Sequence, residues 1–427
     1  MSEQTNAGPR VVIAGGGFGG LYATLYLARS PDRPRGMKIT LIDRNNFFTF
    51  TPLLTEVAGG ALGPEHVTQP YRVFAAAHDF EFVQARVDSV DAANRVVMTS
   101  AGPVPYDLLV FALGGEPRFF GNQEIEAAAL PFQTLRHTLT LRNRFIGLLE
   151  RLQRTGDRSE KQRMMSFVVA GAGPAGTEMA SELRHLLCEV APRFYTIDVP
   201  VRITLVDAGE EILPQFEPDL ARAGRLTLEE RGIEVCTGLR VSGYRDGTVH
   251  LSDGRSLVAG TLIWTAGMKP SRTGSASGLP HDESDALTVD EYLRVEGHPE
   301  IYAIGDAAML VNPRTGRPYP KVAPIAINQG MRAAANIENA IVGRDQEPYQ
   351  AHYAGKILSL GAGEALAETL GFRWSGRPAW WMYRLVYLLK LVGTRPKIRV
   401  AVTLALNRLL HPDLSYLAEA DEALRKD

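Results

Sequence analysis

The run Val11-Val-Ile-Ala-Gly-Gly-Gly-Phe-Gly-Gly20 decides the fold, because it recurs in kind as Phe167-Val-Val-Ala-Gly-Ala-Gly-Pro-Ala-Gly176. Each copy is an apolar run of β character that enters a glycine-rich turn. Helical periodicity follows, over Leu21 to Ala28 and over Glu178 to Leu187. The first copy is followed by Ile39-Thr-Leu-Ile-Asp43 and Asp107-Leu-Leu-Val-Phe-Ala-Leu-Gly114. The second is followed by Val201-Arg-Ile-Thr-Leu-Val-Asp207 and Thr261-Leu-Ile-Trp-Thr-Ala-Gly267. Gly15 to Gly114 spans 99 positions and Gly171 to Gly267 spans 96, so the chain contains two units of near-equal length. Alternation of Val/Ile/Leu runs with helices predicts an α/β fold of two Rossmann-like domains, each around a parallel sheet.

Gly-x-Gly-x-x-Gly between strand and helix is a dinucleotide signature with a physical cause. The first glycine allows the tight turn, the second lets backbone approach a pyrophosphate, and the third lets helix pack on strand. The helix N-terminus then favours the anion. Gly15, Gly17 and Gly20, with Gly19 beside them, are the first set; Gly171, Gly173 and Gly176 are the second. Asp43 and Asp207 end the following strands, where a carboxylate can accept from ribose hydroxyls. They lie 28 and 36 positions after the first glycine, beyond the usual spacing of about 20. Inserted segments, Pro31 to Gly36 and Cys188 to Pro200, account for the surplus. A plain strand-end carboxylate is the alternative at each position. Ala208, Gly209 and Glu210 follow Asp207, so no base is placed to hold a 2′-phosphate and NADH is favoured over NADPH.

Composition narrows the class. The 427 residues are 45% hydrophobic and 22% charged, ordinary for a globular chain of two or three domains. Lys plus Arg number 46 and Asp plus Glu 48, so the balance of −2 gives nucleic acid no basic field to bind. Two cysteines, Cys188 and Cys236, are too few for a disulfide framework and not spaced as a redox pair; both read as buried thiols. The polar stretch Met1 to Pro9 lacks the layout of a secretory signal, which predicts a protein that stays in the cytoplasm.

Further motifs, Asp43-Arg-Asn-Asn46, Phe50-Thr-Pro-Leu-Leu54, Ala112-Leu-Gly-Gly115 and Ile301-Tyr-Ala-Ile-Gly-Asp306, follow in order. With them the chain, from about Arg10 to about Pro412, resembles the two-dinucleotide (pyridine nucleotide-disulfide oxidoreductase-like) flavoproteins. Within these it most resembles the type II NADH dehydrogenases, single-chain NADH:quinone oxidoreductases. The resemblance implies an FAD-binding domain over 9–120 and 296–345, an NADH-binding domain over 121–295, and a membrane-associating C-terminal region over 346–427. It implies that the first glycine motif, Asp43, Arg44, Pro52, Val87, Ala112 and Gly114 hold FAD together with Gly305, Asp306 and Ala323. It places NADH on the second motif with Asp207 and Gly267, and Glu178 near the stacked rings. Two of these have simpler readings: Asp306 as a helix N-cap, and Glu178 as a first-turn acid favoured by the helix dipole.

The family usually shows Ala-Gln-x-Ala-x-Gln-Gln on the acceptor side of the flavin, whereas this chain has Ala323-Pro-Ile-Ala-Ile-Asn-Gln329. Asn328 and Gln329 keep amides for a quinone carbonyl; Pro324 cannot. The alternative is a helix whose N-terminal dipole steadies the reduced flavin, with both amides packed. Residues 372–412 carry Arg373, Arg377, Arg384, Lys390, Arg395, Lys397, Arg399 and Arg408 without one Asp or Glu, and three of the four tryptophans. Basic groups and interfacial aromatics predict a peripheral membrane surface on the cytoplasmic side. No apolar run reaches the length of about 18 needed to span. Arg399, Thr403 and Asn407 form a polar line expected to meet headgroups, while Val402, Ala405, Leu406 and Leu409 face elsewhere. A helical pair packed on the protein or forming a homodimer is the alternative.

The expected activity is hydride transfer from NADH to FAD and of two electrons on to a membrane quinone, without proton pumping and without a metal. A reductase with a non-quinone acceptor, or an NADH-sensing flavoprotein resembling apoptosis-inducing factors, are the competing readings. Absence of paired cysteines disfavours disulfide reduction.

Overall fold

The computed structural model describes residues 8–351, 355–361, 363–369, 371–407 and 413–416. The chain forms two compact units. One comprises Met1–Phe48, Gln69–Glu116 and Met268–Tyr353; the other comprises Thr49–Thr68, Pro117–Gly267 and Ala354–Asp427.

The first unit is built on a six-stranded sheet in the order Arg294–Val295, His298–Ala303, Leu108–Phe111, Arg10–Ala14, Lys38–Asp43, Glu81–Gln84. All neighbours are parallel except the first pair. Val11, Val12, Ile13 and Ala14 are fully enclosed, as expected of a central parallel strand covered on both faces. Helix Phe18–Arg29 packs along helix Ala323–Val342. Gly330 makes the approach possible, since a Cβ there would collide with the Gly19 carbonyl.

The second unit repeats the plan with five parallel strands in the order Leu130–Pro131, Thr261–Trp264, Ser166–Ala170, Arg202–Val206, Glu234–Cys236. Ser166–Ala170 corresponds to Arg10–Ala14, and helix Pro174–His185 to Phe18–Arg29. An antiparallel meander is inserted between Glu81–Gln84 and Leu108–Phe111 in one unit and between Glu234–Cys236 and Thr261–Trp264 in the other. These are Val87–Asp91, Val96–Thr99, Gly102–Pro105 in one unit and Val241–Arg245, Thr248–Leu251, Ser256–Val258 in the other. The second is turned by Asp246 and Gly247 at φ 51° and 74°, the pair of left-handed residues that a tight hairpin demands.

The units differ from the domain boundaries read from sequence. The second sheet is complete once Thr261–Trp264 is laid, so the chain leaves that unit at residue 268 rather than 296. Residues 49–68 leave the first domain altogether: helix Leu54–Ala58 packs on helix Leu135–Arg154 in the second unit. Nor is 346–427 a separate region. Strands Gly355–Ser359, Ala365–Thr369 and Phe372–Ser375 form an antiparallel sheet on which helix Gly376–Lys390 lies, with Ala365, Ala367, Ala379 and Tyr383 as its core. This sheet and helix cluster with the second unit.

Candidate functional site

Both glycine turns adopt one geometry. Gly15 and Gly171 sit at φ 104°, a conformation closed to other residues, and a Cβ on either would strike backbone, of Ala112–Leu113 and of Thr265–Ala266 respectively. Gly20 and Gly176 are pressed against the carbonyls of Gly15 and Gly171. Gly17 and Gly173 have nothing within 4 Å of the Cβ position, so each turn keeps open space where a diphosphate must approach backbone. Gly19 differs: its Cβ position lies 2.9 Å from Ile304 Cδ1 and 3.1 Å from the Ala326 carbonyl, so it serves helix packing.

The strand-end aspartates brace these turns. Asp43 accepts from the N–H of Gly16 and of Asn45, both at 2.8 Å, and Asp207 accepts from the N–H of Ala172 at 2.5 Å and of Gly209 at 2.7 Å. Burial pushes the Asp43 carboxyl above the usual carboxylate range, opposed by those N–H groups. A carboxylate has about four lone-pair sites, so either aspartate retains capacity for ribose hydroxyls. Tyr71 closes the first turn from behind by donating to the Gly16 carbonyl at 2.7 Å, a contact with no sequence signal.

On the other side of the first unit, Gly305 turns the chain at φ 66° and Asp306 follows in a single 3-10 turn Gly305–Ala307, without a side-chain cap bond. Burial raises the Asp306 carboxyl and Lys321 opposes the rise. Lys321 donates to the carbonyls of Gly305 at 3.3 Å and Asp306 at 3.2 Å, and to that of Ala308. Sequence reading missed this lysine, although it lies two residues before the helix that begins at Ala323. Gln329 is buried, and its Oε1 accepts from the Gly305 N–H at 2.8 Å. The amide expected to meet an acceptor therefore also holds the turn that carries Asp306. A small depression opens here, lined by Gly305, Ala308, Lys321, Ile325, Ala326 and Gln329. Asn328, one position before Gln329, is half-buried. Val87 and Ala112 are buried in the first unit, and Gly114 takes φ 68° just past the strand Leu108–Phe111. Arg44 directly follows Asp43, while Pro52 is the middle residue of the 3-10 turn Thr51–Leu53, which belongs to the second unit.

In the second unit, Glu178 lies in the second turn of its helix and accepts from the Ser359 N–H at 3.1 Å. Burial, reinforced by Glu56 and Glu182, pushes its carboxyl up to about 8, against the lowering by that N–H. Glu182 is raised by burial in the same way. Glu56 meets Arg384 at 2.5 Å and receives a long contact from the Tyr383 hydroxyl at 3.5 Å. Three carboxyl groups thus lie together, Arg384 pairing with Glu56 and opposing the rise at Glu182, so burial and like charge favour the protonated form of Glu178. Of the three, the sequence pointed only to Glu178.

The C-terminal helices correct one expectation. Thr403 Oγ1 lies 2.8 Å from His66 Nε2 and Asn407 donates to the Ala61 carbonyl at 2.6 Å, so these two members of the polar line are docked on the protein. The exposed stripes are apolar: Trp381, Leu385, Leu389 on helix Gly376–Lys390 and Ile398, Val402, Leu406 on helix Thr394–Leu406. Arg373 pairs with Glu217 and Asp219, and Arg384 with Glu56, whereas Arg377, Lys390 and Arg395 stay exposed. Arg408 and Leu409 lie outside the described residues. Among those described, no helix is long and apolar enough to cross a membrane. Cys188 and Cys236 are free and only half-buried.

The profile of the pyridine nucleotide-disulphide oxidoreductase family matches residues 9–330. The type II NADH:quinone oxidoreductase NdhA of Mycobacterium tuberculosis is 30% identical over 409 residues, covering 91% of this chain and 85% of the relative. A type II NADH:quinone oxidoreductase of Staphylococcus haemolyticus is 27% identical, covering 92% and 96%. The fold is that of NDH2 from Plasmodium falciparum solved in complex with NADH, with a TM-score of 0.86 at 19% identity, over 95% of this chain and 99% of that one. Duplicated turns and matched relatives agree: the chain belongs to the pyridine nucleotide-disulphide oxidoreductase family and, within it, to the type II NADH dehydrogenases, as an oxidoreductase.

Proposed function

We propose that this enzyme oxidises NADH with FAD as its prosthetic group and passes two electrons to a membrane quinone without pumping protons. The observation that carries the reading is the pair of superimposable turns, each with a first glycine that admits no Cβ and a middle glycine facing open space. Gly17, Asp43 and Asp306 would hold FAD in the first unit; Gly173 and Asp207 would hold NADH in the second. Bound there, the isoalloxazine supplies the hydride-accepting chemistry. Ala208 to Glu210 offer no cation to a 2′-phosphate, which supports NADH as the donor. Glu178, held protonated near neutral pH by burial and by Glu56 and Glu182, can supply a proton as electrons leave. The names of the relatives support quinone as acceptor. Anaerobic stopped-flow with menaquinone and ubiquinone analogues tests it: reoxidation by either supports the reading, and flavin that stays reduced with both defeats it. A soluble acceptor is the second reading, favoured by the engagement of Gln329 Oε1 with Gly305.

The apolar stripes Trp381, Leu385, Leu389 and Ile398, Val402, Leu406 support peripheral attachment, with Arg377, Lys390 and Arg395 toward anionic headgroups. Leu385→Glu combined with Leu389→Glu should lower partitioning onto phosphatidylglycerol vesicles by about tenfold or more. Unchanged cosedimentation would remove this surface from consideration.

A further inference from the structure

One residue of the second unit is left unexplained by the glycine motif. Phe120 has φ 52°, in the left-handed region that disfavours an aromatic side chain, and its ring is 63% exposed. Its neighbours are fixed. The Phe119 ring lies 5.7 Å from that of Trp264, and Trp264 Nε1 donates to the Arg118 carbonyl at 2.9 Å. The Arg118 N–H donates to the Gly267 carbonyl at 3.2 Å, and the Asn122 N–H to the Phe119 carbonyl at 3.0 Å. The loop is therefore anchored at both sides of Phe120, yet it presents that ring and the Arg118 guanidinium outward, stacked 4.9 Å apart.

Where the ring points is informative. Its edge lies 3.3 Å from the position a Cβ would take on Gly267, close enough that a side chain there would press on the ring. Gly267 follows strand Thr261–Trp264, the parallel neighbour of Ser166–Ala170, whose end carries Gly171. Asp207 follows the neighbour on the opposite side. A dinucleotide lies over the carboxyl ends of such strands where their order reverses. With one ribose at Asp207 and the diphosphate at Gly173, the other half of the molecule runs toward Gly267.

Resting on the reading of this turn as the NADH site, we propose that Phe120 is a positioning residue that packs its exposed ring against the nicotinamide riboside. Arg118 holds the ring from its outer face and adds positive charge beside the diphosphate. The backbone strain at Phe120 is maintained because it aims the ring over Gly267 instead of into the core that Phe119 occupies.

The test is calorimetric titration of the flavin-loaded enzyme with NAD⁺ and, separately, with ADP, which ends at the diphosphate. Phe120→Ala should raise the NAD⁺ Kd by about three- to tenfold while leaving ADP unchanged. Phe120→Tyr should restore NAD⁺ binding. Phe120→Asn, which tolerates the left-handed backbone, should repeat the loss and serves if the alanine variant fails to fold. Equal weakening of both ligands, or no weakening of either, overturns the proposal. Wild-type enzyme that binds neither ligand overturns the nucleotide reading itself, and this inference with it.

Discussion

The two glycine turns share φ 104° at the first glycine, the same collision behind it, the same open middle glycine and an aspartate accepting from the turn's own N–H groups. Their surroundings do not match. Asp306, Lys321 and Gln329 share the first turn's unit, a set of polar groups gathered at the Gly305 turn, where Lys321 and Gln329 line a small depression. The second turn's helix carries Glu178 and Glu182 toward Glu56 and Arg384, a set that stores a proton. The difference teaches that one backbone turn serves both halves, while the side chains beyond it set two different chemical environments.

The strongest way to break that comparison is a methyl group at each turn. Gly15→Ala should abolish flavin retention and Gly171→Ala should abolish NADH binding with flavin retained, because each adds a backbone collision to a φ that costs an L residue about 1–2 kcal/mol. The ratio of flavin to protein absorbance and a nucleotide titration read the two outcomes; loss of both ligands in both variants would mean the units are not separately specific.

Glu178 sharpens the contrast by pH. Its carboxyl titrates near 8 in the folded protein and near 4.5 when unfolded, so the native state binds the extra proton between those values and stability falls as pH rises through them. Between pH 6 and 8 wild type should lose about 2 kcal/mol that Glu178→Gln keeps. An equal change in unfolding free energy between the two pH values for wild type and Glu178→Gln, read from denaturant titrations, would show that Glu178 is ionised throughout.

The smallest expected effect is at Asp207. Asp207→Ala removes one bond to the turn, one to the Gly209 N–H and one proposed partner of the ribose, so the KM for NADH should rise roughly tenfold, about 1–2 kcal/mol, with flavin content unchanged. An unaltered KM would reduce Asp207 to a brace.

Legibility followed the range of the interactions. Helix starts, glycine turns and strand-end aspartates were readable because a positive φ or a short loop bond involves residues close in the chain. Glu56 and Arg384 are 328 positions apart, and nothing local to Leu54–Ala58 announces a partner. Helix Thr394–Leu406 shows the same limit from another side. Its spacing revealed two faces, but His66 and the Ala61 carbonyl decided that Thr403 and Asn407 turn inward and that Ile398, Val402 and Leu406 are left outside.

By itself the sequence determined that two similar halves exist, each with a strand, a glycine turn and a helix, since only glycine tolerates those backbone angles and close approaches. Tertiary structure alone decided which unit owns residues 49–68, which carboxyls gather around Glu178, and which ring covers Gly267. The reason is that burial and charge pairing are properties of neighbours in space, and the chain brings those neighbours together only when both sheets are formed.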